Sequence, residues 1–137
     1  MAIVLMTVIV VIMMHYEAII LLGRFMSGSG FRRRPKFIWL IMGLLTAHVA
    51  EIWLFGVVAW WMIEGYQMGS LVGYETVEFL DYIYLSTVTF TTVGFGDLAP
   101  AGIVRLLYGT ESLTGFLLIT WSASFTYIEM EKHWKIS

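Results

Sequence analysis

The sequence predicts an all-α transmembrane protein with three crossing helices and one shorter helix that enters the membrane without crossing it. Two observations carry this. First, 59% of the 137 residues are hydrophobic and only 13% are charged, too apolar a balance for a soluble domain of this size. Second, the apolar residues gather into three stretches of spanning length, 2–22, 37–63 and 103–128, while a fourth, 77–91, is too short to cross.

The first element, residues 1–26, reads as a membrane helix rather than a signal peptide. No basic residue precedes the apolar run and no small-x-small site follows it. Residues 27–36 form a basic connection, opening on small residues that favour a turn and closing on Pro35, which suits a helix start. Residues 37–63 are the second crossing helix, and residues 78–91 the short helix. A glycine-rich loop, T-V-G-F-G, occupies residues 92–96. The last crossing helix takes residues 101–128, with Pro100 at its start, and residues 131–137 form a short tail.

Charge sets the orientation. Arg24, Arg32, Arg33, Arg34 and Lys36 flank the first connection, and Lys132 and Lys135 lie in the tail, so seven of the eight basic residues fall on one side. By the positive-inside rule that side is cytoplasmic. The second connection carries Glu64, Glu75 and Glu78 and no basic residue, which fits the outside. The N-terminus is then expected outside and the C-terminus inside a multi-pass protein of the cell membrane. Trp60 and Trp61 mark the outer interface, and Trp39 and Trp134 the inner one. Between apolar spans, the basic run reads as a contact for anionic lipid and not for nucleic acid. There is no cysteine, which excludes disulfides and thiolate sites.

The chemistry concentrates at residues 89–97, T-F-T-T-V-G-F-G-D. Irregular backbone at membrane depth is tolerated only where protein buries it or where it lines a water-filled cavity. A bare cation needs oxygens in place of its water shell, and rings of backbone carbonyls supply them. Carbonyls that all point one way demand dihedrals open to glycine, which Gly94 and Gly96 provide between Val93 and Phe95. The side chains of Val93 and Phe95 are expected to wedge against the short helix. The Thr92 hydroxyl is expected to add the innermost oxygens. The C-terminal end of the short helix, near Thr89 and Thr91, presents the negative end of its dipole to a cation.

This segment resembles the potassium-channel signature T-x-T-T-V-G-[YF]-G-D, matched at Thr89, Thr91, Thr92, Val93, Gly94, Phe95, Gly96 and Asp97. The order of outer helix, pore helix, filter and inner helix resembles that family over residues 37–128. With the additional N-terminal span, the whole resembles small three-span bacterial members of the ion-channel superfamily. The resemblance implies a pore domain over residues 37–130, K+ held at Thr92, Val93, Gly94 and Phe95, and a homotetramer around a central pore. It implies passive conduction and no enzymatic activity or organic cofactor. Two further readings stay open: a weakly selective cation channel, and a non-conducting accessory subunit.

The sequence departs from relatives at two places. Phe95 lacks the hydroxyl of the tyrosine that many members carry. Val88 stands where some bacterial relatives have a glutamate that pairs with the aspartate matching Asp97, so Tyr84 or Asp81 is the candidate partner here. On the inner helix, Gly115 reads either as a hinge or as a close-packing site. Ile119 and Ser122 are candidate cavity residues, and Phe125 is a candidate constriction.

His15, Glu17, His48, Glu51 and Glu111 fall inside the crossing stretches, where ionisable groups are functional candidates by default. His48 and Glu51 share a helix face. Glu111 is placed to back the pore helix. Three readings of the cluster compete: polar glue between helices, a proton sensor, and a metal site, for which H-x-x-E supplies two ligands and the sequence fixes no third.

Overall fold

A computed structural model describes residues 1–28 and 33–133, so Arg32, Trp134 and Lys135 lie outside the described residues. The chain is a helical assembly with one small strand pair. In chain order the elements are α1 (Ala2–Gly28), α2 (Arg33–Trp60), a π-helical turn (Trp61–Gly65), β1 (Ser70–Val72), α3 (Phe79–Phe90), β2 (Ala99–Ala101) and α4 (Arg105–His133).

Helix α1 has 27 residues, and at about 1.5 Å per residue it exceeds the roughly 30 Å of a hydrocarbon core. It and the helical segment Pro35–Gly65 are long and apolar enough to cross a membrane. With 29 residues, α4 is long enough but more polar. Its polar side chains are not spread at random. Glu111, Thr114, Ser122 and Glu129 are buried, on the stripe that carries Leu107 and Leu118 and faces the rest of the chain.

Element boundaries differ from the sequence reading in two places. Residues 27–36 are not all loop: α1 runs through Gly28, and α2 begins at Arg33, so Lys36 lies in the first turn of a helix. Pro35 is tolerated there because the first amides of a helix have no intrahelical partner. Pro100 does not start the last helix. It sits in β2, opposite Leu71 of β1 in an antiparallel ladder that also pairs Ser70 with Ala101 and Val72 with Ala99. The helix starts four residues later because the ladder claims the backbone of the intervening segment.

Packing places α3 in the cleft between α2 and α4, while α1 lies against α2 and α4. Phe55 of α2 and Phe90 of α3 are fully buried, with ring centroids 6.4 Å apart. Lipid tails are as apolar as leucine, so such contacts act through close packing, and polar links between helices add about 0.6 kcal/mol each on average. One such link ties the turn that follows α2 to α3: the Tyr82 hydroxyl donates to Glu64 at 2.6 Å. The π-helical turn carries Glu64 to that position.

Candidate functional site

The loop that follows α3 is hung from the last turn of that helix. The amide of Thr92 donates to the Thr89 carbonyl at 2.9 Å, and that of Gly94 to the Val88 carbonyl at 3.0 Å. The Thr91 hydroxyl donates to the Thr87 carbonyl at 2.7 Å. Carbonyls that a helix leaves unpaired at its C-terminus thus anchor the loop.

Within the loop, φ is +59° at Thr92, +53° at Gly94 and +81° at Gly96, whereas Val93 and Phe95 are not in that region. Left-handed residues therefore alternate with others along five positions. Such alternation turns successive carbonyls toward one side, which an extended strand does not do. Glycine adopts this conformation freely. Thr92 is β-branched, and positive φ there is a strained exception that its bond to Thr89 helps hold. Thr92 was assigned a hydroxyl role by sequence reasoning; its backbone conformation had no sequence signal.

Asp97 closes the loop. The Tyr84 hydroxyl donates to its Oδ2 at 2.8 Å, and the Tyr74 hydroxyl donates to the same oxygen at 2.9 Å. The two bonds, Tyr84 first, hold the Asp97 carboxyl below its ordinary value, and the same bond raises the Tyr74 phenol. Of the two candidates for this role, Tyr84 fills it and Asp81 does not. Asp81 is used at the start of α3, where its carboxylate accepts the Glu78 amide at 2.7 Å in a capping box. Tyr74 was missed by sequence reasoning. The strand Ser70–Val72 sets Tyr74 beside the residues after the loop, and so short a segment carries no alternation to mark it in sequence.

Val93 and Phe95 do not wedge against α3 of their own chain. They are 55% and 72% exposed. Their side chains leave the loop on the side away from this chain's core.

Behind α3, Glu111 of α4 is fully buried and accepts a bond from the Ser86 hydroxyl at 3.3 Å, so it does back the short helix. Its second oxygen, Oε1, has no hydrogen-bond partner among the described residues. Gly115 is pressed against the backbone of Phe90, with no space for a Cβ. Of its two readings, the geometry matches close packing.

The remaining α4 candidates divide. Ile119 is 39% exposed and faces away from the core. Ser122 does not line a cavity: it is 6% exposed and turned toward α1 and α2. Phe125 is not at an open mouth either, because it packs with Met26, Leu40 and Leu44. Both corrections follow from the stripe of α4 that packing buries, which the sequence does not distinguish from its outer face.

Ser122 belongs to a second site. His15 of α1, His48 and Glu51 of α2, and Ser122 of α4 form a closed ring. His15 Nδ1 lies 2.8 Å from Glu51 Oε1, and His48 Nδ1 lies 2.9 Å from Oε2. Both Nε2 atoms reach Ser122 Oγ, at 3.1 Å from His48 and 3.3 Å from His15. His15 and Glu51 are fully buried. The imidazoles stack with centroids 5.2 Å apart, and His48 stands 5.7 Å from the Phe90 ring. Glu17 stays outside the ring, on the wall of an open groove of about 550 Å³ between α1 and α2.

A family model described as an ion channel matches residues 37–132, well over half of the chain, and the chain belongs to that ion-channel pore-domain family. The matched span begins in the first turns of α2 and ends in the last turn of α4, leaving α1 outside it. Neither a curated protein nor a solved structure matches the chain.

Proposed function

We propose that this ion channel is potassium-selective and conducts passively as a homotetramer, with residues 92–96 as its filter. The observation that carries the reading is the alternation of positive φ at Thr92, Gly94 and Gly96 within the T-V-G-F-G signature. Four copies of such a loop around an axis stack rings of carbonyls that replace the hydration shell of K+. Carbonyls of Thr92, Val93, Gly94 and Phe95 hold the ions, and the Thr92 hydroxyl adds oxygens at the inner end. The exposure of Val93 and Phe95 supports assembly, since a neighbouring subunit is the natural cover for apolar side chains on that side.

In this arrangement α3 is the re-entrant pore helix, and α4 is the third crossing helix and lines the pore. A helix with one face on water and another on protein need not be apolar all round, which accounts for its composition. The basic residues of the first connection face the cytoplasm and anionic lipid, the N-terminus lies outside, and the C-terminus lies inside.

The deciding experiment is flux into liposomes and the bi-ionic reversal potential with K+ against Na+. A strong shift toward the K+ potential is expected, and a shift near zero sinks the reading. A weakly selective cation channel is the second reading. It draws on Phe95, which has no hydroxyl to fasten the loop to its surroundings.

A further inference from the structure

With both imidazoles neutral, the ring around Ser122 holds a proton count that does not close. Glu51, as a carboxylate, only accepts, so both Nδ1 atoms facing it carry hydrogens. A neutral imidazole protonated on Nδ1 has a bare lone pair on Nε2. Both Nε2 atoms point to Ser122 Oγ, which owns a single hydrogen. That hydrogen satisfies one nitrogen. The other contact sets two acceptors against each other inside the protein, where an unmet acceptor is costly.

One added positive charge resolves the conflict, either a proton on one Nε2 or a metal cation between these atoms. We propose that His15 Nε2, His48 Nε2 and Ser122 Oγ bind a first-row divalent metal of the zinc class, with Glu51 holding both imidazoles in place from behind. Three features fit. Imidazole nitrogens suit zinc, nickel and cobalt. Donors about 2.0–2.1 Å from a tetrahedral ion stand about 3.3 Å apart, and the nitrogen-to-hydroxyl separations are 3.1 and 3.3 Å. A carboxylate accepting the far N–H of a ligating histidine is the arrangement that fixes its tautomer at metal centres, here made twice by one residue.

Of the H-x-x-E pair only His48 is then a ligand, the second ligand comes from α1 and the third from α4. The ion joins three helices behind Phe90, the last residue of α3. Its binding does not depend on what the loop conducts and is read without any flux measurement.

The test uses the full chain in detergent, stripped with a chelator and titrated with Co(II). The expected result is the visible absorption of tetrahedral Co(II), saturating at one ion per chain and bleached by Zn(II). His48→Gln is expected to abolish it. Ser122→Ala, a milder change that keeps the fold, is expected to shift the band and weaken binding. Glu51→Gln is expected to weaken binding about 10- to 100-fold, as loss of an orienting partner does. Glu17→Gln is expected to leave binding unchanged. Absence of the absorption in the wild type overturns the proposal, as does a His48→Gln or Ser122→Ala variant that binds like wild type. A chain that takes up no Co(II), yet melts with a pH dependence that His48→Gln removes, makes the ring a proton site and overturns the proposal too.

Discussion

Gly115 of α4 rests against the backbone carbonyl of Phe90, the last residue of α3, with no gap between them. A Cβ at this position overlaps the oxygen, and the atom it meets is backbone, which cannot swing away as a flexible side chain does. The contact lies two residues before Thr92, so any shift it forces reaches the loop.

Gly115→Ala is therefore expected to destabilise the protein by about 1–3 kcal/mol, the range for overpacking a tight site. It is also expected to lower flux. Thermal melting of the purified protein checks the first part. An unchanged melting temperature rules out the contact, and a raised open probability with unchanged melting restores the hinge reading.

Tyr84→Phe and Tyr74→Phe each remove one bond to Asp97 Oδ2. Each is expected to loosen the loop, and the pair more than either alone, because the remaining tyrosine still holds the carboxylate in the single variants. The readout is decay of K+ current under sustained opening, faster in the order wild type, single, double. A double variant that matches wild type counts against Asp97 as the loop's fastening point.

The same two bonds give a pH dependence of known sign. They hold the Asp97 carboxyl below its ordinary value. A depressed folded-state value contributes stability that is fully present above the unfolded value of about 3.9 and is lost as pH falls through the lower folded value. Loop stability is thus expected to be flat from neutrality down to about pH 5 and to fall only in stronger acid. K+-dependent melting across that range tests it. An Asp97→Asn variant should show no such acid step, and a wild-type step near neutrality contradicts the assignment.

Ser86→Ala leaves the buried Glu111 carboxyl without the hydrogen bond it receives from α3. An unmet buried polar group costs about 1–3 kcal/mol. The variant is expected to melt lower by that amount, and Ser86→Thr, which keeps the hydroxyl, is expected to recover most of it. Equal melting of the alanine and threonine variants removes the bond from consideration.

Much of the loop was legible in sequence because its chemistry is local. Eight matched positions within nine residues define it, and glycine at 94 and 96 states the backbone requirement outright. The short helix was legible from its length, since the apolar run at 77–91 is too short to cross. Long-range placement was not legible. The pairing of Ser70–Val72 with Ala99–Ala101 involves short segments with no alternation to mark them. The face of α4 that turns inward depends on packing, so Ser122 and Phe125 were assigned to the wrong side. His48 and Glu51 were paired correctly from their spacing of three, but nothing in spacing links them to His15 or to Ser122.

The ring at Ser122 also has a consequence for how the protein is made. His15 and Ser122 are separated by 107 positions, so the ring cannot close until α4 has been synthesised and has packed against α1 and α2. Until then α1 and α2 carry two imidazoles and a carboxylate at a depth where unmet polar groups are expensive. A chain halted before α4 is marked by that exposed polarity, and a membrane protease or chaperone that recognises polar groups in lipid has a feature by which to tell it from a folded chain.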